Sequence, residues 1–414
     1  MESQIFPRIA ARYLLVINVP LYRGESGLCA GQLWFKDLAE HLVYLENFAV
    51  ACPVADGTPP DGPVALASDH RFGRIAINPL PLPNGMLRTL VSAPRIAIDL
   101  WLAIRQTDIV HIGVAGWPIP YGWIATPIAR ILRKKLVVIV ESAPWRLTVG
   151  LPRNMKARVR AQVFEQMARW CVRSADLAIF TQDEYRRTLP PRNPERGHVI
   201  HASWIDEESI ITDTEAERLW RTKLDVNSGR VSLVFVGRLD AQKGVVVLLH
   251  AIRLLAAKEL NVTVDIVGNG ELLPMCCKLR DELHGKTRVN VLGTVSYGAS
   301  LFSLLRQYHA LVIPSISDEQ PRILYDAYSQ AIPVLGTRTA GLRDCIDEGV
   351  TGWLVAPNDP AALAAMLERS SNELRSLSRM GMAALGVART MTHQKMHRER
   401  QRLLIQLTAA TTTS

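Results

Sequence analysis

The stretch VSLVFVGRLDAQKGVVVLLHAIRLL, residues 231–255, decides how the chain folds. A run rich in Val and Phe reads as a buried strand, glycines punctuate the turn after it, and from Val245 apolar residues recur at helical spacing. The rhythm repeats at once in VTVDIVGNGE, residues 262–271, with a helix expected from Glu271. Strand, glycine loop and helix in succession are the unit from which parallel sheets are built.

Working outward, the pattern continues to both ends. On the C-terminal side VNVLG (289–293), ALVIP (310–314), PVLGT (333–337) and GWLVA (352–356) read as strands, with helices expected from Ala299 and Arg322. On the N-terminal side the strands are YLLVINV (13–19), RIAINPL (74–80), DIVHIGV (108–114), KLVVIVE (135–141), DLAIFT (176–181) and HVIHA (198–202). Helical patterns fill 32–45, 94–105 and 154–173. Between the halves, 204–230 turns polar and loses its β pattern, which predicts a linker. The expected class is α/β: an N-terminal Rossmann-like domain over 1–203, a linker over 204–230 and a second Rossmann-like domain over 231–385. A C-terminal helix and tail over 386–414 is expected to pack back on the first domain. Two such halves would face each other across a cleft, with ligands at the C-terminal ends of the strands.

Composition excludes several alternatives. The chain of 414 residues is 48% hydrophobic and 21% charged, far from disorder or a disulfide scaffold. Its 48 Lys and Arg against 39 Asp and Glu suit phosphate-bearing ligands or an anionic surface. The basic residues are dispersed and carry no RRM, KH or helix-turn-helix signature, so nucleic acid is not expected as a partner. The six cysteines show no paired metal-ligand spacing, which points to a reduced, cytoplasmic setting without structural metal. The apolar N-terminal run ends at Pro20 without a small-residue cleavage pattern and reads as a strand, not an export signal. The long uncharged stretch 109–129 is broken by glycines and prolines and reads as strand, loop and buried helix.

Three segments could carry chemistry. In GRLDAQKG (237–244), Gly237 turns the chain at the strand end, and Arg238 and Lys243 set two cations near a helix N-terminus where an anion is favoured. In VGNGE (267–271), Gly268 and Gly270 would let a ligand approach the backbone, although the G-x-G-x-x-G pattern is absent. In SDEQPRILYDAYSQAIPVLGT (317–337), Asp318 and Glu319 close a loop, Pro321 opens a helix, and Asp326 sits further in. The amides of Ile323 and Leu324 are then placed to face a phosphate. Taken singly, each segment also reads as a solvated basic turn, a structural turn or an acidic helix cap.

In this order, and followed by AGLRDCIDEGVTGWLVAPNDPAAL (340–363), the segments resemble the C-terminal domain of retaining GT-B-fold glycosyltransferases of the glycogen-synthase and mannosyltransferase type, family four, glycosyl transferases group 1. The resemblance is dense over 231–367 and looser before it, through the glycine loop Gly24 to Gly27 and the segment DIVHIG. It implies that Arg238 and Lys243 hold a nucleoside diphosphate, that Asp318 contacts the donor sugar, and that Asp326 contacts the ribose. The family's two glutamates are thus both aspartates here. Ala331 stands at a common Gly, Asp344 at a common Glu and Gly113 at a common His. Each Asp is one methylene shorter, so charge survives but reach does not.

The first half should supply the acceptor site. Gly24 and Gly27 are expected near the diphosphate, and His111, Glu141 and Arg146 near the acceptor. The basic helix at 153–173, with Met155, Val159, Val163 and Trp170 beside its cations, is a candidate for peripheral contact with an anionic membrane. The expected function is metal-independent, retaining transfer of a hexose from a nucleotide-diphosphate sugar to a glycan or lipid-linked acceptor, in polysaccharide or glycoconjugate biosynthesis. It would need no further cofactor and would act in the cytoplasm or at the inner membrane face. The alternatives are a non-catalytic sugar-nucleotide-binding partner of another glycosyltransferase and a nucleotide-sugar epimerase.

Overall fold

The structure is a computed structural model that describes residues 6–24, 27–59, 62–82, 85–146, 154–225 and 229–409. Glu25 and Ser26 of the expected glycine loop, Arg153 of the basic helix, linker residues 226–228 and the tail beyond 409 lie outside the described residues. Two units emerge: the first takes the described residues up to His201 together with those from Gln394 onward, and the second runs from Ala202 to His393.

In the first unit the strands are β1 (Tyr13–Val16), β2 (Leu21–Gly24), β3 (Gly27–Gly31), β4 (Phe48–Asp56), β5 (Pro63–Ala65), β6 (Ala76–Leu80), β7 (Ile109–Gly113), β8 (Lys135–Val140), β9 (Leu177–Phe180) and β10 (Gly197–Val199). They form one sheet of order β10-β9-β8-β7-β1-β4-β2-β3-β5, with β6 also on β4. Every pairing is parallel except those of β3 with β2 and β5. The helices are α1 (Gln32–Tyr44), α2 (Met86–Arg105), α3 (Tyr121–Ile131), α4 (Met155–Ser174) and α5 (Asp183–Thr188). Strand alternation assigns the two faces. Leu14, Val16, Val110 and Ile112 pack under α2, α3 and α4. Tyr13, Leu15, Ile109 and Val137 pack on the other side, against α1 and the C-terminal helix.

In the second unit the helices are α6 (Asp213–Asp225), α7 (Val245–Ala257), α8 (Leu273–Glu282), α9 (Ala299–Leu305), α10 (Ile323–Ser329), α11 (Ala340–Arg343), α12 (Pro360–Asn372) and α13 (Leu374–Ala388). The last helix, α14 (His393–Ala409), belongs to the first unit from residue 394. Strands β11 (Val231–Val236), β12 (Val262–Val267), β13 (Arg288–Gly293), β14 (Ala310–Ile313), β15 (Val334–Thr337) and β16 (Gly352–Val355) make a fully parallel sheet of order β13-β12-β11-β14-β15-β16. The chain moves one way from β11 to β12 and the other way to β14. The loops after β11 and β14 therefore flank a topological switch point, where open α/β sheets bind ligands.

The structure corrects several expectations. The 204–230 stretch is not a free linker, because α6 buries Ala216 and Trp220 in the second unit's core, and the Trp220 indole donates to the Ala331 carbonyl at 2.9 Å. Residues 386–393 likewise stay with that unit. Helix α2 starts at Met86 and carries Pro94 inside it, so the proline does not open the helix. The expected glycine loop is the end of a hairpin, in which Gly24 and Gly27 pair across antiparallel β2 and β3. Ala331, at the family's common glycine, adopts φ +57, a left-handed geometry that glycine holds without strain.

Trp220 tests the unit boundary. Trp220→Ala should cost about 3–5 kcal/mol of second-unit stability, since it opens a core cavity and strands a carbonyl. Thermal denaturation followed by near-UV circular dichroism should show a clear fall in Tm, whereas a linker residue would leave it unchanged.

Candidate functional site

The donor candidates converge at the second unit's switch point. The loop after β11 lies directly on the loop after β12: the Gly237 amide donates to Val267 O (3.0 Å), Leu239 N to Asn269 O (2.9 Å) and Leu272 N to Leu239 O (2.9 Å). The glycines of VGNGE are required by this contact. A Cβ at Gly268 would stand 1.8 Å from Gly237 O, and one at Gly270 2.5 Å from Leu239 O. Gly244, at φ +74, is equally constrained, with Pro314 O at 1.8 Å from its missing Cβ. Gly237 itself meets only the Phe235 ring at 3.5 Å.

On this frame Arg238 projects into solvent, 3.4 Å from Asp240. Asp240 also accepts the Lys243 amide at 2.9 Å and so shapes the turn, a role the sequence reading missed. Lys243 is partly buried and its Nζ lies 3.5 Å from Glu319 Oε2. The acid facing the cation is thus Glu319. Asp318, its neighbour, turns instead to accept the Ala340 amide at 3.1 Å, at the start of α11. Around it, the buried hydroxyls of Ser317 and Thr339 have no hydrogen-bond partner among the described residues, and a ligand or water would complete them.

Asp326 is buried and accepts the Tyr297 hydroxyl at 3.1 Å. Burial first, and the Asp326 charge next, hold that phenol well above its usual range and keep it protonated. The Leu324 amide, expected to face a phosphate, donates instead to Pro321 O at 3.2 Å. Ile323 opens α10, the helix that places Asp326. Asp344 follows the short α11 as its C-terminal cap.

In the first unit, a cavity of about 300 Å³ opens at the C-terminal ends of β1, β7 and β8. His111, Asp37, His41, Glu141 and Arg400 line it, and Gly113 leaves it room. The Tyr13 hydroxyl lies 2.6 Å from His111 Nδ1, while His111 Nε2 is buried without a partner among the described residues. Burial, then the Arg400 charge and His41, press the His111 pKa well below its usual value, so the ring is neutral near pH 7. Asp37 gathers His397 (3.1 Å), His41 (3.4 Å) and Arg400 (3.7 Å). Arg400 and His397 come from α14, which sequence spacing could not connect to His111. Arg146 does not reach the cavity, because it forms a two-pronged pair with Glu165 at 2.8 and 3.0 Å.

Residues 230–372 match the family described as Glycosyl transferases group 1. Among named relatives, α-D-kanosaminyltransferase of Streptomyces kanamyceticus is 25% identical over 255 residues, 61% of this chain and 65% of that protein. D-inositol 3-phosphate glycosyltransferase of Frankia alni is 29% identical over 205 residues, 47% of this chain and 49% of that protein. The chain spans about half to two thirds of the length of these relatives. The fold is that of solved GT-B glycosyltransferases. Anabaena HepE in complex with UDP and glucose superposes with TM-score 0.65 at 17% identity, over 95% of this chain and 99% of its own. Sucrose-phosphate synthase from Thermosynechococcus elongatus gives 0.68 at 16% identity, over 96% and 100%.

The state of His111 has a consequence for stability. The native ring stays neutral in mild acid, while the unfolded chain takes up the proton near pH 6.5. Its contribution is therefore constant above that pH and declines below it, by up to about 1.4 kcal/mol per pH unit. His111→Gln should flatten the fall of Tm between pH 7.5 and pH 5.5, values that bracket this titration at roughly one unit on each side. Equal slopes in the two proteins would mean that the native His111 ring takes up its proton as readily as the unfolded chain does.

Proposed function

We propose that the chain is a retaining glycosyltransferase of the group 1 type that moves a sugar from a nucleoside-diphosphate sugar to a glycan or lipid-linked acceptor, in polysaccharide or glycoconjugate biosynthesis. The observation that carries this reading is the docked pair of glycine loops at the second unit's switch point, inside the segment that matches the family, with Lys243 held beside them. Arg238 and Lys243 would bind the diphosphate and stabilise it as it leaves. Two fixed cations supply that stabilisation without a divalent metal, and no cofactor beyond the donor is required. Asp318 would meet the donor sugar and Asp326 the ribose.

Glu319 joins this set as a switchable partner of Lys243: it balances the ammonium until the diphosphate replaces it. The acceptor would enter the His111 cavity, whose unpaired ring nitrogen suits a sugar hydroxyl. Retention would follow from attack on the face from which the diphosphate departs. The enzyme would act in the cytoplasm and meet a lipid-linked acceptor at the inner membrane face.

A thermal-shift screen against nucleotide sugars should identify the donor, since ligand at about 100 times its Kd stabilises by roughly 2.7 kcal/mol. With that donor, Arg238→Ala and Lys243→Ala should each lower kcat/KM by roughly 10- to 150-fold while leaving Tm unchanged, because each removes a charge-assisted bond of about 1.5–3 kcal/mol. Transfer should persist in excess chelator. Donor binding without transfer or hydrolysis would replace this reading with a non-catalytic binding partner.

A further inference from the structure

Helices α2 and α4 of the first unit each carry two apolar faces. On α2 the inward face presents Ile96, Leu100, Ala103 and Ile104 to the sheet. At 100° per residue, Leu87, Leu90, Val91, Ile98, Trp101 and Leu102 fall on the opposite side of the same helix. All six are exposed, Leu87 at 76% and Val91 at 75%. Helix α4 repeats the arrangement: Phe164, Ala168 and Cys171 point inward, and Met155, Val159, Val163 and Trp170 lie opposite and exposed. Helix α3 packs against both, and all three cover the same face of the sheet, so the second apolar faces belong to one outer layer.

The charge on that layer is one-sided. Helices α2, α3 and α4 hold nine Lys or Arg and two Asp or Glu. Both acids are already near arginines, Asp99 3.8 Å from Arg95 and Glu165 2.8 Å from Arg146. Arg88 and Arg95 flank the α2 stripe, and Lys156 and Arg158 flank that of α4. Exposed large side chains repeated over a helix of this length exceed the scatter of single apolar residues normal on a soluble surface. A second copy of the chain would bring like charges together across the interface. Anionic headgroups would instead neutralise the cations while the apolar stripe enters the acyl boundary. No helix among the described residues is long and apolar enough to cross a membrane, so contact would be from one side.

We infer that the outer face of the α2–α3–α4 layer docks on an anionic lipid bilayer, with the Leu87, Val91, Ile98 stripe of α2 as its apolar wedge and the basic residues of α2 and α4 as its headgroup contacts. This is independent of the donor chemistry and extends the contact from α4 alone to a two-helix surface centred on α2.

Cosedimentation of the full chain with vesicles tests it. Binding should be strong on phosphatidylcholine–phosphatidylglycerol vesicles, weak on phosphatidylcholine alone, and reduced by salt within the range where surface charges are screened. The pair Leu87→Gln with Val91→Gln should lower partitioning by about tenfold or more. Arg88→Gln with Lys156→Gln should lower it comparably on anionic vesicles only. All four positions are exposed, so Tm should not change. Light scattering accompanies each variant. Equal binding to both vesicle types, or no response to either pair, overturns the inference. So does a solution dimer that Leu87→Gln with Val91→Gln dissociates, which would assign the face to a second copy.

Discussion

Backbone contact between adjacent loops governs the second unit. Parallel strands that end side by side bring their following loops together, and here the approach is so close that a side chain at Gly244, Gly268 or Gly270 would overlap a carbonyl oxygen. The position of the cations follows from this. A partly buried ion pair such as Lys243–Glu319 is worth about 1 kcal/mol at most and cannot hold two loops in register. Steric exclusion can, because any Cβ at 1.8 Å from an oxygen forces the loops apart. The glycines therefore fix the place of Arg238 and Lys243 before any charge interaction acts.

The first unit depends on charge instead. Asp37 and Arg400 are both buried, 3.7 Å apart, with His41 and His397 around the carboxylate. Burying two charges is offset only if both remain, and removing one partner of such a pair typically costs about 3–5 kcal/mol. Helix α14 is held to the unit by this requirement as well as by Leu403 and Leu404. Asp37, His41 and Arg400 also line the cavity beside His111, so the ion pair that secures the C-terminal helix also sets the polarity of the cavity.

What the sequence showed depended on distance along the chain. Strands such as β8 and β11 announce themselves by continuous apolar runs, and the order of the loops after β11, β12 and β14 singled out the donor-site candidates. The hairpin of β2 and β3 did not, since Gly24 and Gly27 resemble a loop unless their pairing is known. Strand β4 was missed because Pro53 interrupts its apolar run. The resemblance singled out the two aspartates but not their contacts: Asp318 caps α11 and Asp326 takes the Tyr297 hydroxyl, both nonlocal bonds. Arg400 was invisible for the same reason, since nothing near it in sequence indicates a cavity.

Apolar periodicity also has a limit that α7 and α2 expose together. Helix α7 is apolar nearly all round and is buried, with Val245, Leu248, Leu249 and Ile252 inaccessible. Helix α2 is apolar on two opposite sides, yet only one is covered. From composition the two look alike, and both satisfy the helical period. What separates them is layer position: α7 lies between its own sheet and α12, whereas α2 packs on α3 and β6 and keeps its other side exposed. Like charges beside an uncovered apolar side oppose its pairing with a second copy, and cations flank the exposed stripes of α2 and α4. On helices α2, α3 and α4, nine Lys or Arg against two Asp or Glu thus accompany apolar faces that the described residues leave uncovered.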